Sequence, residues 1–169
     1  GTHTQTYNGS AWAAQTYPML YTSDIYPVVN GLLIDRKNQI IRFNGTLYSN
    51  WLNDLTKYTS GTDKWASVGT LADDATSFVV FNNILFVGQA NGTNFRKVST
   101  SDVVTDGGSG GVLFAKWNGI LYKVDADELW YSSDGTTWSG PYVVCKSPEV
   151  ITGIVGAQDT VWITTTDAV

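Results

Sequence analysis

Ile40-Ile41-Arg42-Phe43-Asn44-Gly45-Thr46-Leu47-Tyr48 is the stretch whose reading decides the fold. An apolar run enters on an aromatic, Asn-Gly supplies two residues that tolerate positive φ, and an aliphatic and an aromatic leave on the far side. Such a string reads as strand, type I′ turn and returning strand, because the twist of that turn matches the twist of paired strands. The string returns. Phe81-Asn82-Asn83 leads into Ile84-Leu85-Phe86, Trp117-Asn118-Gly119 into Ile120-Leu121-Tyr122, and a degenerate Ala157-Gln158-Asp159 into Thr160-Val161-Trp162. Tyr7-Asn8-Gly9, followed by Ser10-Ala11-Trp12, reads as an earlier copy and is the weakest in its aliphatic place. Starts at 7, 43, 81, 117 and 157 give steps of 36, 38, 36 and 40 residues, and the aromatic five residues on is present every time.

A second hairpin follows in the better copies. Leu129-Trp130-Tyr131-Ser132-Ser133-Asp134-Gly135-Thr136-Thr137-Trp138 reads as strand, turn, strand, and Leu55 to Trp65 is its counterpart one residue longer. Phe95 to Val104 keeps strand character without a Trp, and the first copy keeps Leu20 to Asp24 before departing at Pro27. Two consecutive hairpins in a period near 40 residues predict an all-β β-propeller of four-stranded antiparallel blades. About four and a half repeats are expected in one domain over 1–169, starting near residues 2, 39, 77, 112 and 151. Val28 to Ile34 looks like a hairpin of its own, 14 residues before the Asn44 turn, which leaves the first blade's phase open. Asp106 to Gly111 reads as a flexible loop between blades. The fifth copy ends after two strands, and the chain opens on Gly1 and stops in mid-pattern at Val169. A segment of something longer is expected, whose ring closes with residues outside this chain or not as a monomer.

Composition narrows the function classes. Charged residues make up 15% of the chain, against about 25% in an average globular protein, so Thr, Ser, Asn and Gly must carry the surface. With a net charge of −5 and ten scattered Lys and Arg, the clustered basic surface that displaces counterions from nucleic acid is not expected. No apolar run approaches the ~20 residues of a membrane-spanning helix, so no membrane insertion is expected.

Little in the chain carries reactive chemistry. Cys145 stands alone and reads as a buried, inert thiol in a strand with Val143-Val144, and His3 is the single histidine. Asp125-Ala126-Asp127-Glu128 lacks the twelve-residue calcium-loop pattern and reads as a solvated acidic turn. The glycines at 107–111 have no following Lys-Ser/Thr to make a phosphate cradle. Asn8, Asn44 and Asn91 open glycosylation sequons, but two of them coincide with turns that backbone geometry already demands. No catalytic residue, metal site or cofactor is predicted. Most of the seven Trp fall on repeat positions and are expected to pack between blades. Trp51 and Trp130 have no counterparts, and Trp51, expected in an inter-hairpin loop beside Asn53 and Asp54, is the arrangement best suited to stacking on a sugar. These four are the candidate carbohydrate-binding residues.

Ser132-x-Asp134-Gly135-x-Thr137-Trp138 resembles a shortened Asp-box of sialidases and related propellers, lacking the residue between Asp and Gly. The resemblance implies a turn-stabilising device on the blade rim, in which Asp caps backbone amides and Gly takes positive φ. A sialidase also needs three convergent arginines and a Tyr–Glu pair. Arg36, Arg42 and Arg96 fall on different repeats, and Glu128 and Glu149 are the only glutamates, so a glycosidase is the least favoured reading. The repeats with a Thr/Asn/Gly-rich surface resemble propeller domains of bacteriophage tail and host-contact proteins. That resemblance implies an extracellular or virion-associated, non-catalytic structural or interaction module. Its expected partners are other copies or chains of an assembly, with cell-surface glycan as the alternative.

Overall fold

The computed structural model describes residues 4–7, 12–15, 39–90 and 94–166. Every element in them is a strand. β1 (Thr4–Tyr7) and β2 (Trp12–Gln15) form a two-stranded sheet. The first complete blade is β3 (Ile40–Phe43), β4 (Thr46–Trp51), β5 (Asp54–Thr59) and β6 (Lys64–Thr70). The second is β7 (Ala75–Phe81), β8 (Ile84–Gln89), β9 (Phe95–Val98) and β10 (Val104–Gly108). The third is β11 (Leu113–Trp117), β12 (Ile120–Asp125), β13 (Glu128–Ser132) and β14 (Ser139–Val143). β15 (Ile151–Ala157) and β16 (Thr160–Thr165) pair only with each other. All pairings are antiparallel and sequential, as a meander of hairpins requires.

The repeated turns fall where the sequence places them. Phe43 pairs with Thr46, Phe81 with Ile84, Trp117 with Ile120 and Ala157 with Thr160, leaving two residues in each loop. Asn44, Asn82, Asn83 and Asn118 all take positive φ, with Gly45 and Gly119 at 81° and 74°. These conformations are the ones that a type I′ turn imposes and that Asn and Gly accept at least cost. The Tyr7 copy differs. Tyr7 pairs with Trp12, so its partners stand five residues apart in sequence where those of the other copies stand three apart. The Val28 hairpin, His3 and the Asn8 and Asn91 sequons lie outside the described residues.

The strand that enters each two-residue turn is the innermost strand of its blade: β3 packs beside β7, β7 beside β11 and β11 beside β15. Side chains serve the edges of these inner strands. Gln39 Nε2 donates to Thr76 O and its Oε1 accepts from Phe78 N, both at 2.8 Å, so one amide substitutes for a rung of ladder between blades. Val112 O accepts from Thr76 Oγ1 and, at 3.0 Å, from Ser77 Oγ, while Lys116 Nζ donates to Val80 O at 3.0 Å.

Two apolar clusters fill the spaces between complete blades. Phe43, Tyr48, Leu55, Leu71, Leu85 and Val98 lie between the first and second. Phe81, Phe86, Phe95, Phe114 and Leu121 lie between the second and third. Phe86 stacks on Phe95 at 6.0 Å between ring centroids, and Phe95 meets Phe114 edge-on at 5.1 Å. Burying one such ring contributes roughly 1.5–3 kcal/mol. This packing also revises the glycine-rich stretch. Asp106, Gly107 and Gly108 belong to β10 rather than to a loop, and a Cβ on Gly107 would sit 2.1 Å from the Phe95 ring. Glycine is needed there because an aromatic face occupies the space.

Gly88 makes the tightest approach between blades: a Cβ there would lie 2.3 Å from Val112 O and 2.4 Å from Ser77 Oγ. Gly88→Ala is expected to cost about 1–3 kcal/mol through overpacking, read as a lowered urea midpoint. Gly61→Ala, which meets nothing within 4 Å, should stay within about 0.5 kcal/mol of the parent.

Candidate functional site

The first candidate site is built where the outer hairpin of the second blade reaches back over the first. The turn between β9 and β10 is closed by Ser99, whose Oγ accepts from Ser101 N and Val103 N at 3.2 Å. That closure aims Asp102, at φ 63°, into the first blade. There Asp102 accepts hydrogen bonds from Tyr48 Oη and from Lys57 Nζ. Asn44 Nδ2 donates to Thr100 O at 2.9 Å and Thr46 Oγ1 to Tyr58 O at 2.6 Å. Both polar side chains of the Asn44 sequon are therefore engaged in the fold. Around this knot lies an open cleft of about 410 Å³, lined by Asn44, Thr46, Lys57, Tyr58, Thr59 and Ser60 among others.

The electrostatics follow from that geometry. Burial pushes the Asp102 carboxyl up, but the hydrogen bonds from Lys57 and Tyr48 outweigh it and hold the group below the usual carboxylate range. Burial, then the bond to Asp102 and its charge, lift the Tyr48 phenol well above its ordinary value. Neither group is poised to exchange a proton near neutral pH. Their arrangement fastens one blade to the next and leaves the hydroxyls and amides of the cleft for polar contacts.

A buried charge sits between the second and third blades. The Lys123 ammonium lies 5.2, 5.0 and 4.8 Å from the ring centres of Phe95, Trp130 and Trp138, and donates to Ser109 O at 2.7 Å. Burial lowers its pKa, opposed by the Asp125 carboxylate. Cation–π attraction to three rings and one carbonyl bond offset the loss of hydration. The cage is closed by the Ser132 to Trp138 turn. Asp134 Oδ1 accepts from Thr136 N and Thr137 N at 2.7 Å, and Ser132 Oγ accepts from Gly135 N at 2.8 Å. The amides of Thr137 and Thr136 hold the Asp134 carboxyl far below its usual range. Gly135, at φ 77°, leaves no room for a Cβ, which would stand 2.8 Å from the Phe86 ring.

The predicted sugar-contact residues divide. Trp51 closes β4, opposite Asp54, so it ends a strand instead of lying in a loop; Leu52 and Asn53 form the turn between them. Asp54 Oδ1 accepts from Ser67 Oγ at 2.6 Å, and Asn53 O accepts from Leu71 N at 2.6 Å. These three residues share one turn, at the end of the first blade opposite to Asn44. Trp130 stands two blades away over Lys123, and the structure does not bring it to them. Cys145 lies beyond β14, half-buried, with Sγ 3.5 Å from Glu149 O, and burial, with the Glu149 and Asp127 carboxylates, pushes its thiol up. Arg42 is on β3 and Arg96 on β9, the latter paired with Asp106 at 3.3 Å. Among the described residues no three His, Cys, Asp or Glu side chains converge, and no helix is long and apolar enough to cross a membrane.

A further cleft of about 520 Å³ opens at the two-residue turns of β11–β12 and β15–β16, lined by Trp117, Asn118, Gln158 and Asp159. Trp117 Nε1 donates to Gln158 O at 2.9 Å, fixing the indole across the gap. With this geometry in place, comparison with known proteins is informative about architecture. No family model matches the chain, and no curated protein sequence does. The chain is similar to the extracellular domain of a B. thetaiotaomicron two-component system, at 12% identity and a TM-score of 0.60 over 75% of its length. It is also similar to a catalytically inactive virginiamycin B lyase from Staphylococcus aureus solved with quinupristin, at 14% identity and a TM-score of 0.57 over 72%. These neighbours are propeller-like. The fold is a β-propeller. The chain spans 19% and 45% of those two solved chains.

Substitutions at Asp102 and Lys123 test the two junction charges. Asp102→Asn should cost about 1–2 kcal/mol at neutral pH, as hydrogen bonds to a charged group do once exposure is discounted. A depressed carboxyl stabilises above its unfolded value and loses that contribution as pH falls through the folded one. The gap between parent and variant in urea melts should therefore shrink below about pH 4. For Lys123, Met keeps the apolar stem and should cost under about 1.5 kcal/mol, whereas Ala leaves a cavity beneath three rings and should cost about 2–5.

Proposed function

We propose that this chain is a non-catalytic interaction module of an extracellular or virion-associated assembly. One observation carries the reading. Large apolar side chains are left uncovered on the third blade and the half-blade, where Tyr131, Tyr142, Val143, Val155 and Trp162 are 39, 50, 68, 56 and 61% exposed. Tyr131 and Tyr142 stack with a 19° interplanar angle at 5.8 Å, so this part of the surface is ordered as well as apolar. Exposed aromatic and aliphatic side chains in this number support a protein contact. The acid and base groups at the blade junctions support the same conclusion, because Lys57, Asp102 and Tyr48 are spent on one another. Two of the matched structures are extracellular domains, which supports that compartment. The likeness to phage tail and host-contact propellers remains part of this reading, with avidity from repeated copies as its working principle.

Carbohydrate binding is the second reading, favoured by the hydroxyl- and amide-lined cleft beside Asn44 and by Trp51 at its turn. A glycan array of the chain, run beside Trp51→Ala and Thr59→Val variants and with fluorogenic glycosides including a sialoside, separates the readings. An interaction module stays silent on the glycans and releases no product. A glycan retained by the parent and lost by either variant establishes the lectin reading. Product release sinks the non-catalytic assignment.

A further inference from the structure

The junctions between neighbouring inner hairpins are not closed alike. Between the first and second blades, Asn44 Nδ2 is taken up by Thr100 O at 2.9 Å. Between the second and third, the Lys116 ammonium donates to Val80 O at 3.0 Å. Between the third blade and β15–β16, the place of Lys116 in the repeat is held by Gly156, since Trp117 and Ala157 both enter their two-residue turns. A Cβ on Gly156 would stand 2.5 Å from Trp117 Cβ and 2.6 Å from Lys116 O. The close approach of β15 to β11 therefore requires glycine and excludes a built-in cation at that place. The cleft of about 520 Å³ opens at this junction, within the usual size of a ligand site.

The residues lining the cleft carry one kind of unused chemistry. Trp117 is half-buried and held from two sides, its Cβ against Gly156 and its Nε1 on Gln158 O at 2.9 Å. That bond uses the indole's only donor, and the ring meets no other ring and no cation among the described residues. Asn118 and Gln158 are exposed, at φ 48° and 50°. Neither their side-chain amides nor the Asp159 carboxylate has a hydrogen bond or ion pair among the described residues. No Lys or Arg lines the cleft. It thus offers an indole fixed in place, two carboxamide oxygens and one uncompensated negative charge. A guanidinium answers all of these at once: it stacks flat on an aromatic ring, presents five N–H donors in one plane and sheds water readily. An ammonium has no plane to stack, and a neutral sugar leaves the Asp159 charge unneutralised. The chain's net charge of −5 favours the approach of a cationic group.

We propose that this cleft receives an arginine side chain of a partner protein, its guanidinium stacked on Trp117 and hydrogen-bonded to Asp159 and to the carboxamide oxygens of Asn118 and Gln158. The incoming arginine supplies at this junction the cation that Lys116 supplies at the preceding one. Because the indole is already fixed at its Cβ and its nitrogen, little side-chain freedom is lost on binding. The inference rests on reading the chain as an interaction module and gives its partner a chemical requirement.

The test titrates the full chain, labelled with nitrogen-15, with the blocked tripeptide acetyl-Gly-Arg-Gly-amide at constant ionic strength, and follows amide shifts by NMR. Its citrulline and lysine counterparts and methyl glucoside are run beside it. The expected result is saturable shifts of the Trp117 indole N–H, identified by its loss in Trp117→Phe, and of the backbone amides of residues 118, 119 and 158–160. Citrulline keeps the shape of arginine without its charge and should bind about tenfold more weakly, as loss of a charge-assisted hydrogen bond implies. Asp159→Asn should weaken the arginine peptide by a similar factor. Asp159→Lys, which places a cation of its own at the cleft, should abolish the shifts, with both variants keeping the parent's spectral dispersion. Equal binding of arginine and citrulline peptides, equal binding by parent and Asp159→Asn, or no shift at these turns overturns the proposal. Saturation of the same amides by methyl glucoside reassigns the cleft to a sugar and overturns it too. Failure here leaves the broader reading standing, whereas a glycan lost in Trp51→Ala or Thr59→Val overturns that reading without moving these amides.

Discussion

Each blade of this protein is half of an interface. The aromatic that follows every two-residue turn points at the next blade, and its burial depends on that blade's inner strand and outer turn. Phe86 is fully buried between Phe95, Phe114 and the Gly135 turn, and Tyr48 is buried beneath Asp102. Trp162, at the same place in the repeat, has no blade after it among the described residues and is largely exposed. The same sequence pattern thus gives opposite solvent exposure depending on whether a neighbour is present, as expected of arrays whose stability is a sum of repeats and the contacts between them.

Charge is used sparingly and where blades meet. Lys57 with Asp102 joins the first blade to the second, and Lys123 with its aromatic cage joins the second to the third. An ion pair or a caged ammonium at a junction specifies one arrangement of the blades. A slip leaves the buried Lys123 ammonium without partners, at far greater cost than a misplaced methyl group, and parts the half-exposed Lys57–Asp102 pair at a smaller one. The polar residues thereby fix the rotation from blade to blade, while the aromatics supply most of the cohesion.

The fold was largely legible in the sequence because its determinants are local. Asn44-Gly45 and Asn118-Gly119 dictate their own turns, and the aromatics repeat at a fixed distance from them. The reading failed where the determinant was distant. Gly107 reads in the sequence as part of a flexible loop, but it is glycine because the Phe95 ring presses on β10. The Tyr7 copy carries the same Asn-Gly dipeptide as the others, but its strands pair in a different register. The functional side chains were less visible. Lys123 stands where the other copies have Ser49, Val87 and Ile163, and a lone lysine in that series was a usable signal. Nothing near Asp102 in sequence announces that it will meet Tyr48, which lies 54 residues earlier.

The placement of the aromatics shapes both ends of the array. On the first blade, the face turned away from the second carries Ile40, Arg42 and Leu47 and, in register with Leu47, the paired rings of Tyr58 and Trp65. The opposite end of the stack presents Trp162 and Val155. Loss of a neighbour uncovers rings on either side: without the blade after it the second blade exposes Phe86, and without the first it exposes Phe78 beside Leu85 and Val87. The apolar part of each junction is therefore shared by both of its blades, while the polar part is particular to it, an Asp102 knot at one and a caged Lys123 at the other.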